Sequence, residues 1–429
     1  MSDVRPFQAA TPSPGPTPEP PADATRRRFI AATAATAATA ATAAAGGAAV
    51  VDGLLAGPSA SAAEAASGNR ASTTAGGIQA AGHKQPTQGP PSRPEGGRSK
   101  HHRNTSEEKM RIVAVEEAFA VPGAIRQEEA IRQHMAVPEA MKQEWFRRLD
   151  DLTDLRLADM DANGVDIQVL SYSTPGVEVI EDPAEAVAAA RRINDYLAKA
   201  VAAHPTRFAG FAALPLQDPK AAVVELRRAV QELGLKGVLH NDHVRGHYLD
   251  EPQFRPVWAE LERLGVTLYL HPAVVPADNW HVFDGYPVLV GPSWGWTATT
   301  GAHALRLIYG GVFDEFPGAS VTLGHMGELL PFQMSRLDSR YPQVPVEHRV
   351  RHLPSYYLRN NVYVTTSGVM SHAALLGAVH AVGVDRVLFS IDYPFESSAE
   401  AVGFLRSAPY APADLGRIAH ANAERVLGL

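Results

Sequence analysis

From Met110 onward the chain alternates between short apolar runs and longer stretches whose apolar residues recur at helical spacing. The apolar runs predict strands over 111–116, 165–171, 207–214, 235–240, 266–271, 319–324, 361–366 and 386–391. They are rich in Val, Ile and Leu and mostly lack polar alternation, the pattern of strands covered on both faces. Helices are predicted over 184–203, 218–233, 253–264, 299–315, 370–381 and 412–427, each with one apolar face. Asp218-Pro219 and Glu251-Pro252 read as helix starts, because proline is preorganised for the first turn; Gly234 and Gly265 read as stops.

Strands alternating with helices predict α/β architecture, and the count of eight predicts a (β/α)8 TIM-like barrel over residues 110–429. The competing arrangement is a doubly wound open sheet. Polar side chains decide between them. Glu116 closes the first strand and His271 the fifth, within LYLHPA (268–273); His325 lies just past the sixth and Asp392 just past the eighth. An open sheet keeps the first, fifth and eighth strand ends apart. A closed barrel gathers them at its C-terminal mouth, where barrel enzymes carry their chemistry.

Glu116, His271 and Asp392 offer two carboxylates and one imidazole. That set suits one divalent ion, Zn, Mn or Mg, with positions left open for water or substrate. His325 is followed three residues later by Glu328, which can hold the imidazole in one tautomer for proton transfer. Arg336 follows after another eight residues and is a candidate for contacting an anionic substrate. Gly291-Pro292-Ser293-Trp294-Gly295 matches a nucleophile elbow after strand-like YPVLV, and Asp392 and His420 follow in hydrolase order. Pro292 constrains the sharp turn such a serine needs, and His420 sits inside the last amphipathic helix, so a serine hydrolase is rejected.

The chain has 429 residues, a formal charge of −7 and no cysteine. Disulfides, thiolate metal sites and cysteine nucleophiles are excluded together. With no long basic tract, nucleic acid is not an expected partner. The first hundred residues differ from the rest. Arg26, Arg27 and Arg28 precede Phe29, Ile30 and an Ala/Thr run to Val51, and Ala60-Ser61-Ala62 is a cleavage candidate. Residues 1–62 resemble a twin-arginine signal region, which implies export to the periplasm or beyond. Its weak hydrophobicity argues against a stable membrane anchor. Residues 63–109 are Gly-, Ser- and Pro-rich and predict a disordered linker; His101 and His102 within it read as incidental.

Residues 110–429 also resemble the metal-dependent decarboxylases of the amidohydrolase superfamily, of the γ-resorcylate, 2,3-dihydroxybenzoate and 5-carboxyvanillate types. The matching stretches include VEEAFAVP (115–122), RLADMDANGVDIQVLS (156–171), RFAGFAALPLQDP (207–219), LYLHP (268–272), HALRLIYGGVFDEFP (303–317), LGHMGELLPFQMSRLD (323–338) and LFSIDYPFE (388–396). The resemblance implies that Glu116, His271 and Asp392 bind the metal and that His325 with Glu328 orients polar groups. It implies substrate contacts from Arg156 or Arg336 and from Asn241 and His243. Asp392 is implied as the acid that protonates a ring carbon of a hydroxylated aromatic carboxylate before CO2 leaves. Members are commonly oligomeric, so a dimer or tetramer is expected. Two positions depart from the γ-resorcylate pattern: Ala118 stands where a second first-strand ligand, a histidine, is found, and Thr299 where a glutamate is found. The runner-up reading is a metal-dependent hydrolase or lactonase on the same barrel, with Asp392 as base. A third is a barrel that binds a ligand without turnover.

Overall fold

The computed structural model describes residues 110–123, 137–273, 275 and 281–429. The signal and linker expected over 1–62 and 63–109 lie outside the described residues. Among the described residues eight strands follow one another: β1 Val113–Phe119, β2 Ile167–Tyr172, β3 Phe208–Gly210, β4 Gly237–Asn241, β5 Thr267–His271, β6 Val321–Leu323, β7 Val362–Thr365 and β8 Val387–Leu388. Each lies within or overlaps its predicted run. All pairings are parallel, β1-β2-β3 in one sheet and β4 through β8 in order in a second.

Two narrow seams close the sheets into a barrel. At one, Ala212 bridges to Val238, with Ala212 N donating to Gly237 O and Leu239 N to Ala212 O. At the other, Val115 N donates to Phe389 O and Ala118 N to Tyr393 O. The expected (β/α)8 barrel is present, and the open sheet is not.

Alternating side chains fill the barrel. Val113, Val115, Val169, Phe211, Tyr269 and Leu388 form an inner cluster, whereas Ile112, Ala114, Leu170, Leu268, Leu270 and Val364 pack outward against helices. Each such aliphatic side chain, fully withdrawn from water, contributes roughly 1.5–3 kcal/mol before chain entropy is charged. The outer layer includes α1 Glu139–Asp150, α2 Asp154–Asn163, α3 Pro183–Ala203, α4 Pro219–Gln231, α5 Arg255–Leu264, α6 Gly295–Tyr309, α7 Leu330–Arg340, α8 Pro354–Asn360, α9 His372–Val382 and α10 Ser398–Arg406.

The helix starts have visible causes. Asp218 accepts from Lys220 N and Ala221 N, so its side chain satisfies amides at the exposed end of α4. Asp182 does the same for α3. Glu251-Pro252 instead opens a 3-10 turn that runs into α5; the Glu251 carboxylate bonds back to Tyr248 N rather than capping forward. Gly265 closes α5 at φ 66, a left-handed cap that glycine adopts without steric cost. The last predicted helix is interrupted by a π-helical turn at Arg417–Ala421, where Ile418 O accepts from Phe389 N beside β8. No helix among the described residues is long and apolar enough to cross a membrane.

Candidate metal-dependent active site

A β-bulge places the first acidic residue. Ala114 pairs with Gln168 and Glu117 with Leu170, so Val115 and Glu116 together oppose Val169. Strict alternation would turn Glu116 outward after inward-facing Val115. The extra residue lets Glu116 follow Val115 into the barrel, where Tyr269 OH and Thr365 Oγ1 donate to its Oε2. β1 therefore continues to Phe119 rather than ending at Glu116.

Among the described residues Glu116 Oε1 is buried and has no hydrogen-bond partner. It lies 3.5 Å from His271 Nε2 and 3.8 Å from His325 Nε2. His325 Nε2 is in turn 3.8 Å from Asp392 Oδ2. At His271 the opposite ring nitrogen, Nδ1, sits 2.8 Å from Pro272 O and 3.0 Å from Asn241 Oδ1. Those acceptors require the proton on Nδ1 and leave the Nε2 lone pair facing a carboxylate oxygen. Burial holds the His271 pKa below its ordinary value, opposed by Glu116. Two electron pairs thus face each other in a buried space, and burial raises the Glu116 pKa, so a proton or a cation is favoured between them. Ligand atoms around a small divalent ion stand roughly 3.0–3.5 Å apart, given metal–ligand bonds of about 2.1 Å. Glu116 and His271 are close to that spacing, and Asp392 adjoins His325 on the other side. Among the described residues no three His, Asp or Glu side chains already stand together at metal-holding spacing. The donor set nonetheless fits the ion.

His325 lies in an unusual backbone. His325, Met326, Gly327, Glu328 and Leu329 all have positive φ, from 49 to 78. This single left-handed turn brings Glu328 Oε1 to 2.8 Å from His325 Nδ1. Each non-glycine residue there is strained by about 1–2 kcal/mol, a cost typical of functional segments. Burial opposes the charged form of His325, but the carboxylates of Glu328 and Glu116 and the bond to Asp392 hold its pKa well above the ordinary value.

His271, His325 and Asp392 open onto a cavity of about 510 Å³. Its mouth and walls include Trp145, Trp294, Trp296, Phe332 and Phe395, and His271, His325, Asp392 and Glu396 supply its ionisable groups. Such a space suits a flat aromatic molecule.

The amidohydrolase family profile matches residues 101–429. The chain belongs to the amidohydrolase family. Within it, this amidohydrolase is 41% identical over 325 residues to the γ-resorcylate decarboxylase of Rhizobium sp. (strain MTP-10005), covering 74% of this chain and 98% of that one. The crystal structure of 2,6-dihydroxybenzoate decarboxylase complexed with 2,6-dihydroxybenzoate superposes with a TM-score of 0.70 at 40% identity, covering 75% of this chain and all of that one. The dihydroxybenzoic acid decarboxylase from Polaromonas sp. JS666, with bound manganese and the inhibitor 2-nitroresorcinol, superposes with a TM-score of 0.69 at 38% identity, over 74% and 97% of the two chains.

Four expected substrate contacts in this amidohydrolase are placed elsewhere. Arg156 is fully buried, donating to Ala118 O and Gln168 Oε1 and lying 4.3 Å over the Tyr393 ring, outside the cavity lining. Arg336 is exposed on α7 and does not line the cavity either. Asn241 is buried behind His271, taking Thr174 Oγ1 at 2.9 Å. Its role is to hold the imidazole, which tertiary packing decides. His243 accepts from Gly246 N in the loop after β4 and is likewise absent from the lining. Thr299 bonds back to Gly295 O within α6. Ser293 lines the cavity, but YPVLV is a 3-10 turn at Pro287–Leu289 rather than a strand, and His420 pairs with Glu424 at 3.0 Å. No nucleophile elbow exists there. Tyr269 and the tryptophan wall were not singled out from sequence. The tyrosine's signal was its place in β5 two residues before His271, on the same strand face.

Proposed function

We propose that this protein is a metal-dependent, non-oxidative decarboxylase of a hydroxylated aromatic carboxylic acid, a carboxy-lyase. The observation that carries the proposal is Glu116 Oε1, unpartnered among the described residues and facing the His271 lone pair, with His271 and Asp392 lining an aromatic-walled cavity. Close kinship with hydroxybenzoate decarboxylases supports it over the hydrolase reading.

Glu116, His271 and Asp392 would hold the ion, and manganese is the proposed metal, on the carboxylate-rich donor set and the manganese in the Polaromonas relative. When bound, the ion supplies positive charge that fixes an ortho-hydroxy carboxylate in place. The chain's own residues do the rest. The aromatic walls sandwich the ring, and Glu328 holds the His325 imidazole with Nε2 toward the cavity. Asp392 in its acid form gives its proton to the ring carbon bearing the carboxylate. The carbon–carbon bond then breaks, its electron pair returns to the ring, and CO2 departs. Asp392 is left as a carboxylate and regains a proton from solvent. Exclusion of water by the walls strengthens every charge interaction inside.

The test is CO2 release from 2,6-dihydroxybenzoate, 2,3-dihydroxybenzoate and 5-carboxyvanillate by manganese-loaded protein, with Asp392→Asn alongside. Release from at least one acid, lost in the variant, is expected. Turnover of a lactone with none of the three acids would overturn the reading.

Export by the twin-arginine route is proposed on Arg26, Arg27 and the Ala/Thr run that follows. Replacing both arginines by lysine should retain the protein in the cytoplasm; unchanged export would end that proposal. A homo-oligomer is proposed on the exposed apolar side chains Tyr286, Val288, Trp294 and Phe332, and a purely monomeric sedimentation profile would contradict it.

A further inference from the structure

Asp392 is held by a residue that never meets the cavity. Its backbone is left-handed, at φ 79, in the turn that follows β8. An aspartate tolerates that conformation better than most residues but still pays for it, so neighbouring contacts are needed to hold it there. The enforcement comes from β1. Glu117 Oε1 accepts from Ile391 N at 3.0 Å and Glu117 Oε2 accepts from Tyr393 N at 3.1 Å. One carboxylate therefore grips the residues on either side of Asp392. The carbonyl of Tyr393 is taken by Ala118 N at 2.8 Å, so β1 secures this turn by both donors and acceptors.

Glu117 is completely buried, and a buried carboxylate needs a countercharge. Burial pushes the Glu117 pKa up to about 8, opposed first by the two backbone N–H bonds and then by the nearby Arg156 guanidinium, which lies over the ring of Tyr393. That guanidinium is also tied to Ala118 O and Gln168 Oε1. The bulge between Ala114 and Glu117 makes the division of labour possible. It turns Glu116 into the barrel and leaves Glu117 facing the end of β8.

We propose that Glu117, with Arg156 behind it, is a positioning residue for Asp392: it fixes the direction from which the Asp392 carboxylate enters the cavity. The proposal rests on Asp392 acting in the site as described under the proposed function. A merely structural Glu117 would satisfy two amides and stabilise the barrel without affecting turnover in the folded protein.

Glu117→Gln separates the two. Its amide can accept from one N–H but presents an NH2 to the other. Glu117→Asp keeps both acceptors, withdrawn by one methylene. For manganese-loaded protein, the expected result for Glu117→Gln is a fall in kcat of about 10- to 100-fold with KM changed by less than about threefold, and Glu117→Asp should fall between it and wild type. A second readout is independent of turnover. Mn2+ titration of the metal-free protein, followed by the loss of free-ion electron paramagnetic resonance signal, should show about tenfold weaker binding in Glu117→Gln. In the double variant with Asp392→Asn, Glu117→Gln should add almost nothing to the loss from Asp392→Asn alone, since residues acting as one unit are not additive.

Wild-type kcat and Mn2+ affinity in both folded Glu117 variants would overturn the proposal. So would reduced thermal stability with unchanged kcat. If Asp392→Asn itself keeps full activity, the decarboxylase assignment of Asp392 fails first, and that result is distinguishable because it does not involve Glu117.

Discussion

Tyr269 donates its phenolic proton to Glu116, although the two residues are 153 positions apart and meet only inside the closed barrel. The same hydroxyl lies 2.9 Å from Thr365 Oγ1, so the carboxylate is steered from two strands. Burial, then the adjoining Glu116 charge, keep the Tyr269 pKa well above its ordinary value, so it remains a donor. Tyr269→Phe should weaken Mn2+ binding roughly 10- to 100-fold, as loss of a ligand-orienting partner does, while the barrel still folds. Metal titration beside circular dichroism checks both halves.

Asn241 offers a sharper distinction, because the family resemblance implied a substrate contact and the structure places it behind His271. Asn241→Ala should lower metal affinity by about tenfold while leaving KM for the aromatic acid within about twofold once metal is saturating. A large KM change at saturating metal would return the residue to the substrate.

Gly327 sits at φ 78 in the left-handed turn, and a Cβ there would come 2.6 Å from Val364 Cγ1 and 3.1 Å from Pro331. Gly327→Ala should cost about 1–3 kcal/mol of stability. It should also reduce turnover, because the turn that brings Glu328 to His325 cannot keep its shape. Chemical denaturation and kcat measured on the same preparation will test this.

Glu260, on α5, receives Arg227 at 2.8 Å and Arg263 at 2.5 Å. Hydrogen bonds from these arginines lower its pKa from 4.5 to about 2. A depressed carboxylate stabilises the fold above its unfolded value and loses that contribution as pH falls through the folded one. Both guanidiniums are half in water, so screening limits the effect to about 1 kcal/mol. Wild type should exceed Glu260→Gln by about that much near pH 7, and the gap should close between about pH 4.5 and 2. Urea melts across that range give the comparison.

The strands were legible because burial on both faces leaves a plain apolar run, as in LYLH or RVLF. The end-of-strand residues were legible because barrel closure gives His271, His325 and Asp392 a common destination. Glu116 was found as the last residue of an apolar run, for a reason that was incomplete. Its inward direction comes from a bulge, and nothing in VAVEE distinguishes a bulged strand from a regular one. Arg156 was misplaced because an arginine beside a strand gives no sign, in one dimension, of being sealed under Tyr393. The π turn at Arg417–Ala421 was hidden for a similar reason: its apolar spacing is that of an α-helix, and its carbonyl contact to β8 is tertiary.

The β1–β8 seam has a consequence for the order of synthesis. Val115 meets Ser390 across 275 residues, and Glu117 meets Tyr393 across 276. During translation the first of these partners emerges long before the last, and contacts so distant in sequence form late. A growing chain can build most of its strands and helices while Glu116 still waits for Asp392. At the proposed metal site, an ion held by the full donor set would therefore mark that the ribosome has passed β8 and that the barrel has shut.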